Sequence, residues 1–580
     1  MRSSQSLFVA LLCLVLAPVF AKADERSAAE VLPSSTVAYF ELSDPGQLLD
    51  LVLTHPLRDK IEALEAVQKA LKSPQYAQSQ LILKFVELQL GMDWQTAAKT
   101  LTKGGVYLAF DAETEGVVML LKASDKDKLT KIRETFLKLA RDDAKRKGKE
   151  EPVEEKEYRS LTAYQLDKGI HAQFEDWYLL TNKGDLAKSI ADALIDGNKD
   201  SLADNEQFQA AYKTKSDTAN GWAYANFAAL RNAGVGKEVF KDKHDNPGVE
   251  LLFGGIISTM EKTPYVAFEF SIGQSDVRLS ALVPSDPDWI PEKREFFFGS
   301  DGDGTTGKPL TPKQTLLSIE AFRDIGTFWL AKEDLFEENV VAQMTQVDSQ
   351  FSTIFSGLDF GREVLGSLKS QIQIVLARQD YKDIQTPMPD IQLPAGAFVV
   401  RLHEAKKLQQ RFKVAFQSFM GLTNFGLSQQ GQPQFDINTE SRGDARIVSA
   451  SYLTDDESEK GLINYNFSPS IAYINDWFII SSTRDLAVEL AELAANHQEA
   501  QDNAKHTSAA LKIEEVEKIL ADNRKHLVAG NILQKGHSKA EAEKEIGTLL
   551  SLLKSGRELS FRLLNNKDSL ALEFQLSFSN

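Results

Sequence analysis

Ala172–Ala191 reads AQFEDWYLLTNKGDLAKSIA, and Ala472–Ala491 reads AYINDWFIISSTRDLAVELA, 300 positions later and without a gap. Seven of the 20 aligned pairs are identical, and others such as Tyr178/Phe478 and Thr181/Ser481 are conservative. Glu175-Asp176 and Asn475-Asp476 sit where a tight turn belongs, and Trp177 and Trp477 each open an apolar strand. Asn182 and Ser482 stand three residues before Asp185 and Asp485, the spacing of a capping side chain and its acid at a helix start. The block therefore reads as turn, buried strand and helix. Its shared residues form no catalytic set, and the two tryptophans read as core rather than as a sugar-stacking platform, since burying an aromatic ring stabilises by a few kcal/mol.

The correspondence extends in both directions. Upstream, Pro33–Glu41 (PSSTVAYFE) matches Pro312–Glu320 (PKQTLLSIE) at an offset of 279, sharing proline, threonine and glutamate, and each reads as a strand. A helical region follows over 57–90, with Ile61, Leu64, Val67 and Leu71 spaced for one buried face. Gly91-Met92-Asp93-Trp94 and Gly357-Leu358-Asp359-Phe360 mark a helix end and a new cap, with Asp93 and Asp359 as the capping residues. Strands are expected over 105–110 and 371–376, then over 117–122, followed by a helix over 125–139 whose counterpart lies within 397–419. Arg141–Tyr158 mixes both signs of charge around Pro152 and reads as a solvated helix tip or loop. Downstream, 264–271 with 275–283 and 557–564 with 569–578 are alternating hairpins at an offset of 293. Period-two alternation implies a sheet with one packed face and one open face. Strands joined by short turns must run antiparallel. The expected fold is thus α+β: two tandem homologous domains, 24–290 and 312–580, each a mainly antiparallel sheet with packed helices. A linker, 291–311, lies in the glycine- and proline-rich stretch Pro284–Thr311 between them.

The first 23 residues carry Arg2, an apolar run over 7–16, and Ala21-Lys22-Ala23, the layout of a signal peptide cut after Ala23. That expectation places the protein outside the cytoplasm, secreted or periplasmic. No later stretch reaches the roughly eighteen apolar residues that a spanning helix requires. The lone cysteine, Cys13, falls inside the signal, which leaves no disulfide, thiolate nucleophile or cysteine-bound zinc after cleavage. Removing Arg2 and Lys22 takes the net charge from -17 to -19. So acidic a chain is a poor match for phosphate backbones, and nucleic acid is not expected as a partner.

Motifs that could carry chemistry are incomplete. Gly302–Lys308 (GDGTTGK) has the spacing of a phosphate loop, but Pro309 replaces the Ser or Thr that would hold magnesium. Asp301, Asp303 and Thr305 alternate as in a calcium loop whose twelfth position is Pro312 instead of glutamate. The eight histidines are scattered without metal-binding spacing, and His171 faces Ile471 in the second copy, which reads as a strand-edge residue. No serine elbow is present. The expectation is therefore no catalytic, cofactor-binding or metal-binding residue, no cofactor, and no enzymatic activity.

LPSSTVAYFELSDPGQLLD (32–50), DWYLLTNKGDLAKSI (176–190) and DSLADNEQFQAAY (200–212) together resemble a family of secreted bacterial proteins known only as a domain of unknown function. The resemblance covers most of the chain after residue 23. It implies compartment and architecture, and it transfers no active-site residue. The second copy has HQEAQDNAKHTSAA (497–510) where the first has DSLADNEQFQ.

Three function classes follow: a binding or structural component of the cell envelope, with an envelope protein, polysaccharide or lipid as partner; a carrier of apolar ligands in a sheet-lined cleft; and an extracytoplasmic hydrolase with dispersed carboxylates. A carrier needs an apolar lining on the open sheet face. Glu269, Ser271 and Arg278 in the terminal hairpin make that lining look mixed, which puts the first class ahead.

Overall fold

A computed structural model describes residues 26–579 apart from 160, 198–199, 236–239, 241–242, 382–387, 453–461, 499–504 and 567. The expected signal peptide, 1–23, lies outside the described residues. The fold is α+β, with antiparallel sheets and packed helices, and it divides into two compact units. The first comprises the described residues up to Val235 together with Thr263–Val283. The second comprises those of Gly236–Lys262 and of Pro284–Asn580.

The first unit contains ten strands: β1 Thr36–Leu42, β2 Val106–Asp111, β3 Gly116–Lys122, β4 Val153–Tyr158, β5 Leu161–Leu166, β6 Gly169–Phe174, β7 Trp177–Thr181, β8 Gly221–Asn226, β9 Tyr265–Ile272 and β10 Asp276–Pro284. Their spatial order is β4-β5-β6-β7-β3-β2-β1-β8-β9-β10, antiparallel throughout. The β6–β7 hairpin turns on Glu175 at φ 51°, with Phe174 opposite Trp177. One sheet face carries Tyr39, Leu120, Trp177, Leu179, Trp222 and Tyr224. It is closed by Leu186, Ile190 and Leu194 of the helix Gly184–Asp196 and by Phe208 of the helix Glu206–Tyr212.

Side chains set the helix starts. Asp93 accepts from the amide of Thr96 at 2.8 Å, the expected cap. Asn182 is not a cap; its oxygen accepts from Val117 N at 2.9 Å and ties the turn to β3. Two further expectations are corrected. Helix ends at Arg146 within 141–158, and Val153–Tyr158 is the outermost strand, β4. An edge strand has one neighbour and stays soluble by carrying charge, so Glu154, Glu155 and Glu157 do not preclude a strand. The region 57–90 breaks into Arg58–Glu62, Glu65–Leu71 and Pro74–Leu90; neither of the first two buries a residue, and Ile61 is exposed.

The second unit has its own ten: β11 Thr315–Phe322, β12 Leu368–Ala377, β13 Ala395–Leu402, β14 Phe435–Arg442, β15 Ala445–Tyr452, β16 Ser470–Ile474, β17 Trp477–Ser481, β18 Lys505–Lys512, β19 Gly556–Asn566 and β20 Ser569–Phe578. Their order is β14-β15-β16-β17-β13-β12-β11-β18-β19-β20, again antiparallel. Strand for strand this repeats the order in the first unit. Details repeat too. A register shift lies between Thr36 and Ala38 in β1 and between Thr315 and Leu317 in β11, and Asn475 at φ 52° takes the place of Glu175. Asp359 accepts from the amide of Arg362 at 2.8 Å. Ser482 repeats Asn182, accepting from Gly396 N at 2.8 Å. The cap of the helix Arg484–Ala495 is Thr483.

The expected linker, 291–311, is a packed part of the second unit. Phe296, Phe297 and Phe298 are fully buried, and a Cβ added at Gly255 of the helix Pro247–Lys262 would come within 2.4 Å of Phe297. Gly304 N donates to Phe298 O at 2.7 Å and Thr306 N to Lys505 O at 2.8 Å. Glycine and charge dominate the composition of this stretch, but three consecutive phenylalanines supply enough apolar area to fix it to a core.

Candidate ligand-binding face

Opposite partners in an antiparallel ladder point to the same side, so registers can be chained across a sheet. In the second unit one such row runs Ile471–Ile480–Phe398–Ile374–Ile319–Ala509–Phe561–Phe574, from β16 to β20. Every member is apolar. A parallel row two residues along reads Leu376–Leu317–Leu511–Leu559–Leu576. The helix Ala405–Gln429 covers the end of this face over β13 and β15–β17, where Leu408 and Phe412 pack with Val400, Val448, Ile471 and Phe478. Beyond the helix the face stays open: Ile480 is 45% exposed, Ile374 40%, Leu559 44% and Phe574 46%. Soluble proteins rarely leave contiguous apolar rows uncovered unless something binds there.

The first unit carries the same row in weaker form: Tyr164–His171–Leu180–Met119–Leu108–Phe40–Ala223–Phe268–Ala281. Leu108/Ile374, Phe40/Ile319, Leu180/Ile480 and Phe268/Phe561 stand at the offsets found in the sequence. Phe268 and Leu279 are exposed on this side. Glu269, Ser271 and Arg278 are not part of it. Glu269 opposes Trp222 and Arg278 opposes Ser271, all on the other side of the sheet, where Glu269 accepts from Ser216 N at 2.9 Å. The mixed lining expected from the sequence therefore resolves into one apolar and one polar side of the same hairpin.

The equivalent glutamates Glu41 and Glu320 lie on the closed side. Glu41, next to Phe40, is buried and accepts from Tyr39 Oη at 2.7 Å and from Lys215. Burial first, and then the charge of Glu41, hold the Tyr39 hydroxyl well above its ordinary pKa. Glu320, the equivalent of Glu41, accepts from Ser318 and Ser508 and pairs with Lys505 at 3.2 Å. Both glutamates are buried and paired with a lysine, a structural arrangement. Asp476 likewise is held by Lys369 at 2.9 Å and Arg401 at 2.8 Å.

His171 is buried inside the first unit's row, not at a strand edge: β6 lies between β5 and β7, and the ring lies tilted 5.8 Å from that of Phe136 with Nδ1 2.9 Å from Tyr178 Oη. Desolvation pushes its pKa down to about 4. The unfolded chain, near 6.5, binds the proton more readily, so stability is full above about pH 6.5 and falls as pH drops toward 4. We expect His171→Ile, which installs the residue of the second copy, to remove about 3 kcal/mol of that acid loss in the first unit. Urea titrations at neutral and acid pH check this; an unchanged acid loss in the variant contradicts it.

Sequence reasoning identified an open face but not its composition. The signal was present in the alternation of Leu559, Phe561, Leu563 and of Leu572, Phe574, Leu576, which matters only once the register shows that they share a side.

No family model and no curated protein matches the chain. Among solved structures it is similar to TP0453 in crystal forms I, III and IV, at 8–9% identity, covering 45% of this chain and 80–81% of that one, with TM-scores of 0.24–0.25.

Proposed function

We propose that the protein is a non-catalytic, secreted or periplasmic binding protein of the cell envelope that carries an apolar ligand, an acyl chain or a molecule of similar character, on the open sheet face of its second unit. Its two units are copies of one α+β domain, a reading supported by the repeated strand order and by matching stretches that keep the same order along the chain at offsets of 266 to 300. The observation that carries the functional reading is the unbroken apolar row from Ile480 to Phe574, with no titratable side chain within it. Burial of aliphatic surface contributes about 0.8 kcal/mol per methylene, so affinity should rise roughly fourfold for each carbon added to the ligand until the row is covered. Titration with fatty acids of increasing length, read by displacement of a fluorescent analogue, tests this. Ile374→Asp with Phe574→Asp should abolish binding while the fold survives, since both positions are partly exposed. Affinity independent of chain length, or a double variant that binds like wild type, would overturn the reading.

A further inference from the structure

The helix Ala405–Gln429 that walls the open face has an outer surface of its own. Its 25 residues include Lys406, Lys407, Arg411 and Lys413 and no Asp or Glu, a local excess of four positive charges in a chain of net charge -17. Leu408, Phe412, Ala415 and Met420 are buried. Lys407, Arg411, Val414, Ser418, Leu422 and Phe425 follow one another at steps of three or four and form a single outward stripe, about 27 Å long at 1.5 Å per residue. Lys406, Lys407 and Arg411 are exposed along the first half. Leu422 and Phe425 are 65% and 66% exposed along the second. Lys407 has a solvent-exposed partner, Glu404, at 3.0 Å. The stripe thus passes from cationic to apolar on one line. The exposed helix Pro74–Leu90 presents Leu81, Ile82, Phe85 and Leu88 without such charge, having only Lys84 against Glu87.

We infer that the outer stripe of Ala405–Gln429 docks the protein on an anionic lipid surface, with Lys407 and Arg411 at the headgroups and Leu422 and Phe425 inserted at the boundary with the acyl chains. The argument is charge complementarity joined to exposed apolar area: clustered Lys and Arg meet anionic headgroups, and large apolar side chains gain by entering the interface. The net negative charge of the whole chain does not oppose this, because solvent-exposed charges more than about 10 Å away are screened at ordinary ionic strength. Docking does not depend on the acyl-carrier reading, since it uses the outside of the helix and not the sheet face beneath it.

The test uses the purified chain and vesicles of phosphatidylcholine with or without phosphatidylglycerol, in a flotation assay. Wild type should float with the anionic vesicles only, and less as salt rises. Lys406→Gln, Lys407→Gln and Arg411→Gln together should weaken binding about a hundredfold, at about fivefold per charge. Leu422→Ser with Phe425→Ser should also release the protein. Ile374→Asp should leave flotation unchanged, which separates this proposal from the carrier function. Thermal melts confirm folding of each variant, and single Arg411→Gln and Phe425→Ser changes serve if a multiple variant unfolds. Equal binding to neutral vesicles, no binding to either vesicle, or wild-type binding by the charge variant would overturn the inference.

Discussion

Replacing Trp177 or Trp477 by alanine is expected to destabilise the unit concerned by about 3–5 kcal/mol, the range for removing a large buried aromatic. Both rings are almost fully buried, at 5% and 7% exposure, and each has a cation over its face: the Lys122 ammonium 4.9 Å from the Trp177 centroid, the Arg401 guanidinium 5.2 Å from that of Trp477. Lys122 opposes Trp177 in β3–β7 as Arg401 opposes Trp477 in β13–β17, so the two losses should be similar. Chemical denaturation of each variant measures them. A loss below about 1 kcal/mol at either position would mean that the ring does not hold its core together.

A second large effect is expected from Glu250. Its carboxylate is fully buried and receives Arg294 through two hydrogen bonds, Nε at 2.5 Å and Nη2 at 3.0 Å, while Arg294 Nη1 donates to Ser258 at 3.0 Å. Arg294 is itself 4% exposed. Glu250→Ala leaves that guanidinium in the core without its counter-charge, a change that typically costs 3–5 kcal/mol, about as much as a whole aromatic ring. Replacing both partners by apolar residues of similar volume should restore most of the loss, because the penalty comes from the unpaired charge and not from the missing pair. The comparison of single and double variants by denaturation decides it; a single variant as stable as wild type contradicts it. The pair joins the helix Pro247–Lys262 to the segment around Phe296–Phe298, and so holds in the second unit a stretch of chain that the sequence assigned to the first.

The β6–β7 turn, the buried tryptophans and the Asp93 and Asp359 caps were legible because each is fixed by residues within a few positions. Matching stretches in the same order along the chain made the repeated architecture legible in the same way. What escaped depended on distant partners. Val153–Tyr158 carries the charges of a loop, and only its pairing with Leu161–Leu166 makes it a strand. Phe296–Phe298 lay in a stretch whose glycines suggested a linker, and its partner helix is some 40 residues upstream. His171 looked like an edge residue until β5 and β7 closed around it. The candidate face was half legible: alternation marked an open side, but Glu269 and Arg278 could be assigned to the opposite side only from the registers of β8, β9 and β10.

Labelling the protein with a photoactivatable fatty acid, followed by mass-spectrometric mapping of the modified residues, tests the binding face most directly. The predicted result is label on β12 and β17–β20 of the second unit, concentrated around Ile374, Ile480, Phe561 and Phe574, and suppressed by excess unlabelled fatty acid. Label confined to other surfaces such as the helix Pro74–Leu90, or label that unlabelled fatty acid does not displace, would contradict a ligand seated on the open sheet.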